Sequence, residues 1–136
     1  MKRLTQQSIP IPTIYDDAYL SFFEGSHHVP FNIKRIYIIH HCLPHLDRGH
    51  HAHKKTDQMM VCLAGSLDLI LDDGRKKRKF HLSKSNKGIL IHHLVWHEMK
   101  NITPDAIMLV AASRYFDERD YIRRYDAFRL FLKNSV

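Results

Sequence analysis

Between residues 31 and 110 the chain is a succession of short strand-like runs separated by turns, with no helical stretch between them. Residues 33–39 are rich in β-branched and aromatic side chains and follow Pro30, which suits a strand start. Residues 58–63 are apolar and break at Ala64-Gly65-Ser66, after which Leu67, Leu69 and Leu71 alternate with Asp68 and Ile70. Asp72-Asp73-Gly74 is a hairpin signal, and 88–91 and 106–110 read as buried strands. The absence of crossover helices predicts an all-β sandwich or barrel. With 136 residues there is room for one core, so residues 1–136 are expected to form a single domain. Near Ser113 the pattern changes: Asp117, Glu118 and Asp120 suit a first helical turn, and Ile122, Tyr125, Phe128 and Leu132 recur at helical spacing. One amphipathic helix over about 117–133 is therefore expected, packed on the β body. The first thirty residues carry no clear period.

Composition narrows the function classes. At 44% hydrophobic and 26% charged, the chain reads as an ordinary globule rather than a disordered, collagenous or coiled-coil protein. No stretch approaches the roughly 20 apolar residues of a membrane helix. Lys2 and Arg3 are followed by polar residues, which predicts no signal peptide. Cys42 and Cys62 stand far apart without a CxxC, so neither a disulfide framework nor a zinc knuckle is expected, and a reducing cytoplasm fits best. The net charge of +7 raises nucleic acid as a partner, but Arg75-Lys76-Lys77-Arg78-Lys79 supplies five of the positive charges. That run follows the hairpin turn, where it reads as a solvated outgoing strand whose charge discourages edge-to-edge pairing.

Twelve histidines are the compositional anomaly. The sharpest cluster is Arg48-Gly49-His50-His51-Ala52-His53-Lys54. On a strand, residues two apart share a face, so His51 and His53 project together and His50 points away. Gln58, Gly65 and, further on, His97 with Asn101 complete a pattern that resembles the cupin family. Metal-binding cupins use the paired histidines, an acid and the later histidine. Here the acid's position holds Gln58, a poor replacement for a carboxylate on a divalent ion, so only His51, His53 and His97 would remain for a metal.

A closer resemblance spans about residues 30–128. Pro30-Phe31-x-Ile33-Lys34-Arg35-x-Tyr37, Arg48-Gly49-x-His51-Ala52-His53-Lys54-Lys55, Val61-Cys62-Leu63-x-Gly65-Ser66, Ile70-Leu71-Asp72-Asp73-Gly74, Trp96-His97-Glu98-Met99 and Asp120-Tyr121-Ile122-Arg123-x-Tyr125-Asp126-x-Phe128 resemble the sugar-nucleotide 3,4-ketoisomerases. The resemblance implies a cupin-type double-stranded β-helix, or jelly-roll barrel, with one C-terminal helix. It further implies a cofactor-free and metal-free enzyme acting on dTDP-4-dehydro-6-deoxy-D-glucose, and a homodimer that exchanges its N-terminal strands over about residues 1–30. No nucleic acid or membrane partner is implied. The product would feed aminotransferases that make 3-amino-3,6-dideoxy sugars of surface glycans such as lipopolysaccharide.

Shifting a ketone to its neighbour requires a base that titrates near working pH, and imidazole is that group. By resemblance, His51 and His53 carry the proton transfers and Tyr37 holds or protonates the enediolate oxygen. Arg48 would clamp the pyrophosphate or the ketone oxygen, with Lys54 nearby. Gln58 would hydrogen-bond a sugar hydroxyl or orient a histidine, and Trp96 belongs either to the core or to the sugar pocket. His97 occupies the place that goes with a galacto rather than a gluco product. Two departures stand out: Tyr15-Asp16-Asp17-Ala18-Tyr19 replaces the usual N-terminal Asp-x-Arg-Gly, and Ile38 replaces a second tyrosine. Two other readings are a metal-dependent cupin using the three histidines and a non-catalytic sugar- or nucleic-acid-binding module using the basic arm.

Overall fold

The computed structural model describes residues 4, 7–84 and 87–135; Lys2 and Arg3 lie outside them. Its strands are β1 (Ser8–Pro10), β2 (Thr13–Tyr15), β3 (Tyr19–Ser21), β4 (Arg35–Ile39), β5 (Arg48–His53), β6 (Gln58–Ala64), β7 (Ser66–Asp72), β8 (Lys77–Ser83), β9 (Lys87–Ile91), β10 (Trp96–Lys100), β11 (Ile107–Ala112) and β12 (Tyr121–Ile122), followed by helix α1 (Tyr125–Asn134). Two antiparallel five-stranded sheets run in the orders β1-β9-β6-β11-β4 and β12-β5-β10-β7-β8, and β2 pairs with β3 as a separate hairpin. This is the jelly-roll barrel of the cupin type with one C-terminal helix.

The alternation in β7 explains how the sheets close on each other. Leu67, Leu69 and Leu71 are fully buried between the sheets with Met60, Met108 and Val110, while Asp68 and Asp72 face outward. At Gly65 (φ +66°) the chain reverses between β6 and β7, and a Cβ there would lie 2.7 Å from the Ala106 backbone. The β7–β8 turn forms as its sequence predicts: Asp73 Oδ1 accepts from the amides of Arg75 and Lys76, and β8 carries Lys77, Arg78 and Lys79 along the sheet edge.

Both outer faces are partly covered. The N-terminal segment, unreadable in sequence, lays Ile11, Val29 and Phe31 over Met59, Val61 and Leu90 of the first sheet. Helix α1 covers the second sheet through Phe128, which packs with Trp96, Ala52 and Ile122. The helix is shorter than its sequence predicts. Glu118–Asp120 forms a 3-10 turn capped by Asp117, and Tyr121–Ile122 pairs with His53 and Ala52 of β5. The acids of a supposed first helical turn are thus diverted: Asp120 is buried, where tertiary hydrogen bonds outweigh helix propensity.

Candidate active site

The functional side chains meet at one end of the barrel because of a bulge in β5. His97 of β10 pairs with His51, whereas the next residue, Glu98, pairs with Gly49, leaving His50 as the extra residue at φ +57°. Gly49 (φ +86°) is required there, since a Cβ would stand 2.9 Å from the His97 carbonyl oxygen. The bulge resets the strand's parity, so Arg48 lines the same cleft as His51, while His50 turns out toward Glu98.

The cleft has a volume of about 620 Å³ and is lined by Arg35 and Tyr37 of β4, Arg48 and His51 of β5, His97 of β10, and Tyr121 and Arg123. His51 and His53 lie edge to face with ring centroids 5.1 Å apart, and His97 stands 4.3 Å from His51 and 6.1 Å from His53. Tyr121 packs on both paired rings, at 5.0 and 4.4 Å. His53 lies deeper than His51, 2% exposed, with its Nε2 buried and without a hydrogen-bond partner.

Each imidazole of the pair is oriented from behind. His51 Nδ1 lies 3.1 Å from the Gly49 carbonyl oxygen, which can only accept, so Nδ1 carries the hydrogen. Burial lowers the His51 pKa to about 4, helped by His53 and Arg123 and opposed by that carbonyl. His53 Nδ1 is 3.0 Å from Asp120 Oδ2, and burial still holds its pKa below the ordinary value, with Arg35 and Arg123 adding to the effect. Burial drives His97 well below it. The three rings are therefore neutral at neutral pH.

On the opposite sheet, Gln58 Nε2 donates to Tyr37 Oη at 2.6 Å. Burial, with Tyr121 beside it, raises the Tyr37 pKa to about 12, so the phenol keeps its proton. Gln58 is 1% exposed and its Oε1 has no partner. Arg35 is held between the rings of Tyr37 and Phe116, 5.2 and 5.6 Å from their centroids, and Arg123 lies over Tyr121 at 4.3 Å. Arg35 and Arg48 give the cleft a positive wall, and Arg123 beside them is paired with Glu118.

Two residues expected near the substrate stand elsewhere. Trp96 adjoins His97 on β10 and so faces the other way, packing on Phe128 and Tyr125 with Nε1 donating to Glu98. Lys54 follows His53 and turns its Nζ over the Phe131 ring of α1. Sequence reasoning in turn missed Arg35, Asp120, Tyr121 and Arg123, although all four lie in the blocks that carry the family resemblance. Among the described residues, no group of three or more His, Cys, Asp or Glu side chains is arranged to hold a metal ion.

Comparison with known proteins gives the family. The family described as FdtA, WxcM-like, C-terminal, matches residues 5–133. The chain is 44% identical over 109 residues, 80% of its length and 78% of the relative's, to a TDP-4-oxo-6-deoxy-alpha-D-glucose-3,4-oxoisomerase of Aneurinibacillus thermoaerophilus. A 3,4-ketoisomerase from Helicobacter canadensis superposes with a TM-score of 0.90 at 35% identity, covering 93% of this chain and 96% of that one. The sugar 3,4-ketoisomerase QdtA of Thermoanaerobacterium thermosaccharolyticum, solved with TDP, gives 0.89 at 37% identity and covers 94% of each chain. The chain belongs to the FdtA family and is a sugar-nucleotide 3,4-ketoisomerase.

Proposed function

We propose that this enzyme moves the keto group of dTDP-4-dehydro-6-deoxy-D-glucose from C4 to C3. The observation that carries the proposal is the buried His51–His53 pair, with His51 lining the cleft and His53 packed behind it, across from a protonated Tyr37. An imidazole removes the C3 proton, and the carbonyl at C4 becomes an enediolate oxygen that the Tyr37 phenol stabilises. A proton then enters at C4 while the C3 hydroxyl gives up its own, leaving a ketone at C3. Protons and electrons balance within the substrate, so the route needs no external oxidant or reductant, and in this reading it runs without a metal.

The arginines supply binding and a coupling. Arg48 and Arg35 suit a diphosphate, which guanidinium groups grip through paired hydrogen bonds, whereas Arg123 already gives Nε and Nη2 to the Glu118 carboxylate. Arg35 and Arg123 also depress the imidazole pKa values, so a bound diphosphate cancels part of that field and makes the pair more basic once substrate is seated. Gln58 orients the Tyr37 hydroxyl, and His97, against His51, bears on the face from which C4 is protonated; its identity supports a galacto product. A 3-keto sugar is in turn the substrate an aminotransferase needs to make a 3-amino-3,6-dideoxy sugar.

The working unit in this reading is a single-domain homodimer in the cytoplasm. The β2–β3 hairpin exposes Ile14, Tyr15, Tyr19 and Leu20, each by more than half, as β4 exposes Ile36 and Ile38, which supports exchange of N-terminal strands between subunits. The free thiols of Cys42 and Cys62 suit a reducing compartment. The basic run lies at the far edge of its sheet from β5, with Lys77 and Lys79 within 4.0 Å of Asp72 and Asp68, which favours a solvated edge over a nucleic-acid contact. No helix among the described residues is long and apolar enough to cross a membrane. His51→Asn and His53→Asn should each cut turnover at least ~100-fold while dTDP affinity stays within several-fold; full turnover in both variants would refute the acid–base assignment.

A further inference from the structure

Asp120 is the buried titratable group that this mechanism leaves without a task. Its carboxylate is 8% exposed and lies against β5, although 67 residues of sequence separate it from His53. Oδ2 accepts from the Thr56 hydroxyl and faces His53 Nδ1 at 3.0 Å; Oδ1 accepts from the Lys55 amide at 2.8 Å. The Asp120 carbonyl oxygen accepts from the Lys54 amide at 2.8 Å. The carboxylate is therefore fixed by two donors besides the imidazole, and the Lys54 amide pins its backbone, so its direction is set independently of His53. Burial opposes its ionisation, but Thr56, Lys55 and His53 together hold its pKa below the ordinary carboxyl value, which leaves it an acceptor only.

We propose that Asp120 is a positioning residue: it locks His53 in the Nδ1–H tautomer and so reserves Nε2 as a proton acceptor inside the ring cluster. The inference rests on the reading of His53 as an acid–base group. A neutral imidazole has one donor and one acceptor nitrogen, and the group behind it decides which is which. Nε2 is buried with no partner in the fold, an arrangement that costs stability and leaves the nitrogen's lone pair open to a reacting group. The two histidines thereby differ in kind. A neutral carbonyl orients His51, whereas His53 has an anion that also stabilises the imidazolium formed when it takes up a proton.

Asp120→Asn separates positioning from scaffolding. With its oxygen in the Oδ1 place the asparagine still accepts from the Lys55 amide, while its amide nitrogen takes the Oδ2 place, presents a donor to His53 Nδ1 and to the Thr56 oxygen, and favours the opposite tautomer. The expected result is a kcat loss of about 10²–10⁴-fold, the scale on which a reversed tautomer disables an imidazole base, with KM and dTDP affinity within about threefold. Nitrogen-15 NMR of substrate-free protein reads the tautomer directly. Wild-type His53 should show a pyridine-like Nε2 and a protonated Nδ1, and the variant the reverse. A wild-type His53 protonated at Nε2, or a folded Asp120→Asn retaining a third or more of kcat, would overturn the proposal. If the variant does not fold, the wild-type spectrum decides alone. Because that spectrum needs no turnover, failure of the ketoisomerase reading would show separately, as inactive wild-type protein with an intact Nδ1–H tautomer.

Discussion

Acidification should unfold this protein through its buried cleft histidines before its carboxylates are affected. The perturbation is a fall in pH from 7.5 to 4.5. His51 has a folded pKa of about 4 against an ordinary 6.5, and His53 and His97 are also held low by burial. Between the folded and unfolded values the unfolded chain binds more protons, so stability rises with pH across that window and is lost as pH falls through it. For His51 the difference corresponds to roughly 3 kcal/mol, lost in full once pH has fallen below the folded value, with His53 and His97 adding in the same direction. The structural carboxylates act lower. Asp120 and Asp68 have depressed folded values, so their contribution persists above the unfolded carboxyl pKa and is lost only as pH drops below about 4. Urea denaturation followed by tryptophan fluorescence at pH 7.5, 6.5, 5.5 and 4.5 isolates the histidine window, because Trp96 reports on the helix-covered face. The unfolding free energy should fall by several kcal/mol between the first and last points, and His51→Asn should flatten that slope. A stability that is flat from pH 7.5 to 5 would refute the reasoning that buried neutral imidazoles dominate this range.

Tyr37→Phe removes the phenol proton and leaves Gln58 without its partner; kcat measured by NMR should drop about 10²–10³-fold with dTDP affinity nearly unchanged, and a loss under twofold would count against it. Gly65→Ala must place a Cβ at φ +66° against the Ala106 backbone, so urea titration should show at least about 2 kcal/mol of destabilisation, and an unshifted midpoint would contradict the turn geometry. Phe128→Ala empties a fully buried site under α1 and should cost about 3–5 kcal/mol by the same assay, with a cost under 1 showing that the helix is not held by this contact.

Much of the site was legible because strand parity is simple. The period of two put His51 and His53 on one face, and the hairpin, the Leu67–Leu69–Leu71 face and the buried strands followed from pattern. The same rule, applied one residue further, separates Trp96 from His97 and Lys54 from His53; grouping them by proximity in sequence ignored it. Arg48 reaches the cleft only because the bulge at His50 adds a residue, and a left-handed histidine announces itself only once the neighbouring strand is known. Asp120 was the least legible. Acids at 117–120 satisfy a helix start locally, and what diverts them is pairing of Tyr121 with His53, a contact between distant parts of the chain. The described N-terminal residues were opaque because they join a sheet only over Ser8–Pro10, while Ile11 and Val29 are placed to cover its outer face.

The central claim is tested most directly by proton NMR of dTDP-4-dehydro-6-deoxy-D-glucose incubated with the purified enzyme in D₂O, with and without EDTA. A 3-keto sugar carrying solvent deuterium at C4, formed at the same rate in both samples, is the predicted result, and couplings to the C4 position of product made in H₂O then give its configuration. An unchanged spectrum, beside a relative that converts the same substrate, would contradict the proposed reaction, and loss of conversion in EDTA would contradict its metal-free course.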